Sequence, residues 1–403
     1  MTQYTPAPIQ SNQPSHIMPT YGRQAIAFVR GRGAYLYTED GTEYLDALTG
    51  IAVCGLGHAH PVLAEVIAEQ AQTLIHTSNL FEIPWQTAAA QKLAEVSGMD
   101  EVFFANSGAE SNEGAIKIAR KFGNDRGINN GKIIVAEKSF HGRTLATLSA
   151  TGNKKVQDGF GPIVDSFIHV PYGDVAAIAK LASERDDIVA IFVEPIQGEG
   201  GLNTAPQGFK YLEELRELCD QHNWLLMLDE VQTGNGRTGQ HFAYQHTSIK
   251  PDVLTTAKGL GNGFPIGAVM VSGKAIGVMG AGNHGSTYGG TALGSRIVYT
   301  IIDIMQKENI VQNAATIGNY LVEQFRHRLS EQNVIVRGFG MMIGIELPKN
   351  CAELVDLARD EKHLIINVTA GNVVRLLPPL NLTQQQADEL LERLVVLIQD
   401  FLK

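Results

Sequence analysis

Trp224-Leu-Leu-Met-Leu-Asp229-Glu-Val-Gln-Thr-Gly-Asn-Gly-Arg237 is the stretch on which the fold turns. A short apolar run ending in a carboxylate predicts a buried strand that delivers Asp229 to its C-terminal edge. The next apolar run, Asp252-Val-Leu-Thr-Thr, leads through Thr256-Ala257 to Lys258 among small residues and glycines. Outward from this pair, strands are expected at Val102–Ala105, Ile133–Ala136, Ser166–Val170, Ile188–Val193, Trp224–Leu228, Val253–Thr256 and Ile266–Val271. Helices are expected at Glu113–Phe122, Val175–Ser183 and Phe209–His222, and two more, Pro61–Ile75 and Pro84–Val96, open on a proline near N1. This alternation predicts an α/β fold with a mainly parallel seven-stranded sheet and helices on both faces.

The pattern changes near residue 305. Helices over Gly294–Met305 and Ile310–Ser330 lead into short strands, Val334–Arg337, Met341–Leu347, Leu364–Asn367 and Val373–Leu377, and a helix from Gln384 to Leu402 closes the chain. Residues 306–403 are expected to form a smaller α+β domain beside a large domain of residues 61–305. Residues 1–60 should complete the small domain with a hairpin from Ala34 to Asp46 turning at Asp40-Gly41. Before it, residues 1–20 are rich in Pro, Gln, Ser and Thr and read as a mobile arm.

With 403 residues, 44% of them hydrophobic and 18% charged, the composition is that of a globular protein. A net charge of -10 without a basic run argues against nucleic acid and acidic membrane surfaces. No apolar run has the length of a membrane span, and the N-terminus lacks the basic and apolar regions of a secretory signal. The three separated cysteines suggest reduced thiols and a cytoplasmic location.

Four further motifs carry chemistry. In Phe103-Phe-Ala-Asn-Ser107-Gly108-Ala109-Glu110, free N–H groups at a helix start suit a phosphate, and Gly108 permits close approach. Ser107 equally reads as an N-cap with Glu110 completing a capping box, and the two readings are compatible because they use different N–H groups. In Ser139-Phe140-His141-Gly142-Arg143, the aromatic can cover a ring face and the guanidinium can receive a carboxylate. His141 reads as a structural hydrogen-bonding residue. Glu194-Pro-Ile-Gln-Gly-Glu199-Gly-Gly ends another strand and fits either a ligand cleft or a surface turn. His58 and His60 have i, i+2 spacing, but no carboxylate or cysteine motif completes a metal site.

Alone, Asp229 reads as a buried helix cap and Lys258 as an exposed loop lysine. A phosphate turn, an aromatic, a strand-end aspartate and a strand-end lysine in this order on one sheet read instead as a pyridoxal-phosphate site. The lysine bonds the cofactor aldehyde, and the aspartate keeps the pyridine nitrogen protonated.

On these motifs, together with Gly57-His-Ala-His-Pro61 and Leu228-Asp-Glu-Val-Gln-Thr-Gly, the chain resembles the class III, ornithine-type aminotransferases from about Tyr21 to the C-terminus. One departure is Ala109/Ser111, where Thr and Ala are common; a backbone phosphate contact survives it. The resemblance implies the type I fold of pyridoxal-phosphate transferases and a homodimer with a shared active site. It implies that Lys258 is the Schiff-base lysine, that Asp229 pairs with the pyridinium nitrogen and that Gln232 bonds the ring oxygen. Phe140 and Val231 flank the ring. Ser107, Gly108 and Ala109 belong to the phosphate site, joined by Thr287 of the second subunit. Ser286, Arg143 and Tyr21 contact the acylated substrate, Arg375 holds the glutamate α-carboxylate, and Glu199 pairs with Arg375 when an amine enters. The implied reaction moves an amino group between N2-acetylornithine and 2-oxoglutarate in arginine biosynthesis. Alternatives are N-succinylornithine, N-succinyl-diaminopimelate or ornithine as substrate, an aminomutase or racemase on the same scaffold, and a non-catalytic pyridoxal-phosphate-binding or regulatory protein, against which the intact Lys258–Asp229 pair argues.

Overall fold

The computed structural model describes residues 16–403. Most of the arm expected over residues 1–20 lies outside them; His16 to Thr20 are exposed.

Seven strands form the main sheet, in the order Glu101–Ala105, Gly267–Val271, Val253–Thr256, Leu225–Asp229, Ile188–Val193, Lys132–Ala136 and Phe167–Val170. Gly267–Val271 runs antiparallel to both of its neighbours. The other six point one way. Their C-terminal ends therefore share one edge of the sheet, the edge where ligands bind in open α/β sheets. The central strands Ile188–Val193 and Leu225–Asp229 are buried along their whole length, as two helix-covered faces require.

Helix Gly108–Asn124 crosses the sheet and buries Ser111, Gly114, Ala115 and Ala119. Small side chains on that face let the helix lie close. Ser107 caps it by accepting the Glu110 N–H at 3.2 Å. The return bond of the expected capping box falls one residue earlier: the Glu110 carboxylate accepts the N–H of Asn106 at 2.7 Å. The N–H of Gly108 and Ala109 thus remain at an uncovered helix start.

Beyond the main sheet, Ile335–Phe339, Met342–Glu346, Val373–Leu376 and Asn367–Thr369 form an antiparallel sheet. The hairpin Tyr35–Tyr37/Glu43–Asp46 joins the C-terminal region through Leu364–Ile365, which runs parallel to Glu43–Asp46. The single strand expected over Leu364–Asn367 is therefore two, and the chain changes sheets at Ile366. Helix Leu354–Lys362 was not expected; it is nine residues long and ends at His363 in a left-handed conformation (φ 45°). Helices Ile310–Arg328 and Gln384–Leu402 bury Leu321, Phe325, Leu390 and Leu394 in the core of this region. Helix Ala292–Lys307 gives Ile297 and Ile301 to that core and Val298 and Ile302 to the core of the main sheet. Buried apolar area on both sides of one helix ties the two cores together.

Candidate active site

Asp229 is the last residue of its strand and pairs in register with Thr255 of the neighbouring strand. Three residues beyond Thr255 comes Lys258, at the start of a short 3-10 turn and not on the strand itself. Its φ of 44° is left-handed, a conformation that costs a non-glycine residue about 1–3 kcal/mol and clusters at functional sites. Lysine and aspartate thus reach the same edge on adjacent strands.

Asp229 is buried. Its Oδ2 accepts from Nδ2 of Asn112 and from Nδ1 of His141, each at 2.8 Å, and its Oδ1 accepts the Val231 N–H at 3.1 Å. His141 stacks on Phe192 with ring centroids 4.5 Å apart, fixing the plane from which it meets the carboxylate. That is the structural role its motif suggested. Asn112 also donates to the carbonyl of His141, so one carboxamide locks both partners. Three donors to this buried carboxylate fix its orientation.

Lys258 is enclosed by protein yet open to the cleft. Burial lowers the pKa of its amine, opposed first by the Asp229 charge and then by those of Glu199 and Glu194. A partly desolvated amine is more readily neutral, which a nucleophilic lysine requires.

A cavity of about 400 Å³ opens above these groups. Ten residues singled out in the sequence line it: Ser107, Gly108 and Ala109 at the helix start, Phe140 and Arg143, Glu199, and Asp229, Val231, Gln232 and Lys258. Arg143 is exposed, with its guanidinium 5.7 Å from the centre of the Phe140 ring. Arg375 lies behind the wall, its side chain 1% exposed. It donates to Glu199 at 2.7 Å, to the carbonyl of Gly198 at 3.3 Å and, through two nitrogens, to Oδ1 of Asn367.

Besides Arg375, three expected site residues do not line the cavity of this single chain. Ser286 borders a separate recess with Asn79 and Gln86, and its hydroxyl accepts from Asn106 at 3.2 Å. Thr287 is exposed, and Tyr21 is 75% exposed. Sequence reasoning missed Asn112, one residue before the helix expected over Glu113–Phe122, and left Glu194 without a role. His58 Nε2 meets Asp46 at 2.8 Å and His60 Nε2 lies 3.6 Å from Glu308, so the two imidazoles face different carboxylates.

The family model "Aminotransferase class-III" matches residues 17–398. The chain belongs to the class-III aminotransferases. It is 52% identical to an acetylornithine aminotransferase of Nitrosomonas europaea, over 96% of this chain and 99% of that one. A second relative, an acetylornithine aminotransferase of Methanothermobacter thermautotrophicus, is 45% identical over 95% of this chain and 96% of its own length. Among solved structures, the ornithine aminotransferase of Toxoplasma gondii superposes with a TM-score of 0.91 at 30% identity, covering 96% of this chain and 93% of that one. The acetylornithine aminotransferase of Elizabethkingia anophelis does so with 0.85 at 32%, covering 96% and 97%. The fold is accordingly the type I fold of pyridoxal-phosphate enzymes, and the cofactor of this class-III aminotransferase is pyridoxal 5'-phosphate.

The cavity's residues fit that group. A helix start with free N–H groups suits its phosphate. The Gln232 carboxamide lines the cavity and its buried Oε1 has no hydrogen-bond partner, so the amide is not committed elsewhere and can turn its NH2 to a ring oxygen. A Cβ on Gly108 would stand 2.8 Å from Cγ1 of Val231, so only glycine lets the phosphate turn and the Val231 wall approach as they do. No helix among the described residues is long and apolar enough to cross a membrane.

Proposed function

We propose that this aminotransferase exchanges the δ-amino group of N2-acetylornithine with 2-oxoglutarate, as a cytoplasmic homodimer in arginine biosynthesis. The observation that carries the reading is the ion pair between buried Arg375 and half-exposed Glu199 beside Lys258. A cation that its neighbour can either cover or release suits an enzyme with two unlike substrates. Glutamate brings a carboxylate next to its reacting carbon; the δ-carbon of acetylornithine carries none. The shared name of relatives matched over nearly their whole length supports the same choice.

The bound cofactor supplies an aldehyde that takes up the amino group and a ring that draws off electrons from the reacting carbon. Lys258 holds the cofactor at rest. Once freed by an incoming substrate, its Nζ would be the base that takes and returns the proton of the reacting carbon. Asp229, oriented by Asn112 and His141, would keep a proton on the ring nitrogen. The N–H groups of Ser107, Gly108 and Ala109 would hold the phosphate, Gln232 would donate to the ring oxygen, and Phe140 and Val231 would flank the ring. Glutamate's α-carboxylate is received by Arg375 after Glu199 turns away; with acetylornithine Glu199 stays paired, and exposed Arg143 takes the distant carboxylate.

Thr287 would complete the phosphate site, and Ser286 and Tyr21 the substrate pocket, in a dimer. Asn79 Nδ2 donates to the carbonyls of Ser286 and Gly289, tying the segment with exposed Leu80 (88%) and Phe81 (67%) to the one with exposed Tyr288 (64%). Exposed apolar side chains in the segments joined by Asn79, one of them beside Thr287, are the kind of surface a second subunit covers. Residues 61–305 would hold the cofactor, with 1–60 and 306–403 forming the smaller domain.

A half-reaction screen tests the substrate. Holoenzyme is mixed separately with N2-acetylornithine, N2-succinylornithine, ornithine, N-succinyl-diaminopimelate and glutamate, and the cofactor absorbance is followed. Acetylornithine should show the highest kcat/KM among the non-glutamate donors; a higher value for ornithine sinks the assignment. Product formed well beyond one equivalent per active site without any 2-oxo acid would point instead to an aminomutase or racemase.

A further inference from the structure

Among the carboxylates lining the cavity, Glu194 has no part in the steps above. It follows the strand Ile188–Val193 and is 6% exposed. Its Oε1 accepts the N–H of Phe140 at 2.7 Å, and its Oε2 accepts the N–H of Gly198 at 2.9 Å. These amides sit on different loops with different tasks. One loop carries the Phe140 ring and Arg143 into the cavity. The other carries Glu199, and its Gly198 carbonyl accepts from Arg375.

We propose that Glu194 is a positioning residue that clamps the loop bearing Phe140 to the loop bearing Gly198 and Glu199, so that Arg375 stands ready for the glutamate carboxylate only while the clamp is ionised. The inference rests on the roles proposed for Phe140 and Arg375. An ionised carboxylate offers lone pairs on both oxygens, whereas a protonated one turns one oxygen into a donor that faces an N–H donor. Either loop then loses its charge-assisted bond.

The proton balance of this carboxyl lies where it matters. Burial raises its pKa to about 7, with His141 lowering it, Asp229 raising it, and the amides of Phe140 and Gly198 lowering it. Lys258 senses its charge across the cavity, and the phenol of Tyr172 donates to the Glu194 and Pro195 carbonyls behind it. Protonation as pH falls through about 7 therefore opens the clamp. The loss falls mainly on the glutamate half-reaction, because Gly198 braces Arg375. Loss of one hydrogen bond to a charged group corresponds to about a tenfold to hundredfold change.

The test uses holoenzyme and both half-reactions on either side of pH 7. Wild-type kcat/KM for glutamate should fall at least about tenfold on the acid side, more steeply than for acetylornithine. Glu194→Gln should show the low glutamate value at every pH, mainly through KM and without the inflection, and Glu194→Asp should restore part of the inflection. A Glu194→Gln enzyme with wild-type KM and an unchanged pH profile overturns the proposal. If that variant does not fold, the wild-type profile decides: equal acid limbs in the two half-reactions overturn it. Arg375→Ala separates the two readings. Equal impairment of both half-reactions there defeats the assignment of Arg375. Selective impairment there with a flat Glu194 series defeats only the clamp.

Discussion

The guanidinium of Arg375 and the carboxylate of Glu199 meet at 2.7 Å with opposite exposures: 1% for the arginine side chain and 39% for the glutamate. The arginine is also held by Asn367 and by the Gly198 carbonyl, whereas the glutamate side chain borders solvent. The proposed switch thus has its more exposed member cover the charge of its buried one.

Glu199→Gln should therefore shift preference and not simply lower activity. Arg375 stays in place on its other acceptors, its charge no longer cancelled. The glutamate half-reaction should gain several-fold in kcat/KM while the acetylornithine half-reaction loses at least about tenfold, the size of one charge-assisted contact. Single-turnover kinetics with each donor check this. Parallel losses in both would mean that the pair is structural only.

Lys258→Ala should abolish turnover while the fold persists, because the side chain projects into the cleft and its left-handed backbone is no harder for alanine to adopt. Borohydride reduction of wild-type holoenzyme followed by peptide mapping should place the cofactor on residue 258, and the variant should carry no label. A label on another lysine, or wild-type turnover in the variant, would show that a different amine does the work.

The pair Asp229 and Lys258 was legible because both follow short apolar runs, and parallel strands deliver their C-terminal residues to one edge. The hairpin turning at Asp40-Gly41 was equally plain, since alternation and turn chemistry agree there. Asn112 was not legible: its bond to Asp229 spans 117 residues, and only the sheet order brings helix Gly108–Asn124 over that strand. The break at Ile366 escaped notice because an unbroken apolar run carries no mark of a change of sheet. For Ser286, Thr287 and Tyr21 a single chain leaves the expected roles without contacts, since those roles need a second subunit or a substrate.

His58 should make stability depend on alkaline pH. Its Nε2 meets Asp46 at 2.8 Å, while the other oxygen of Asp46 accepts the N–H of Leu48 and Thr49. The bond to Asp46, followed by one to Cys54, raises the His58 pKa from 6.5 to about 9. A histidine raised in the folded state adds stability that is complete below 6.5 and is lost as pH rises through about 9. The rise corresponds to roughly 3 kcal/mol. His58→Gln should melt well below wild type at the acid end of this window, and the two curves should converge beyond its alkaline end. A constant gap in melting temperature at every pH would assign the loss to packing instead.

Gly108→Ala separates cofactor binding from folding at the phosphate turn. Alanine is the better helix former, by about 1 kcal/mol in a helix interior, and Gly108 is the first residue of its helix. Its Cβ, however, would stand 2.8 Å from Cγ1 and 3.0 Å from Cγ2 of Val231. Neither atom belongs to a long flexible chain, so Val231 or the turn must move. Val231 follows the bond that Asp229 makes to its N–H, and a shift there disturbs the carboxylate as well as the cavity wall. The apoenzyme should keep its melting temperature within a few degrees, whereas the dissociation constant for pyridoxal 5'-phosphate should rise at least about tenfold, the equivalent of 1.4 kcal/mol. Fluorescence titration of apoenzyme with the cofactor measures it. Unchanged affinity would show that Val231 yields without cost and that the glycine serves the backbone of the turn alone.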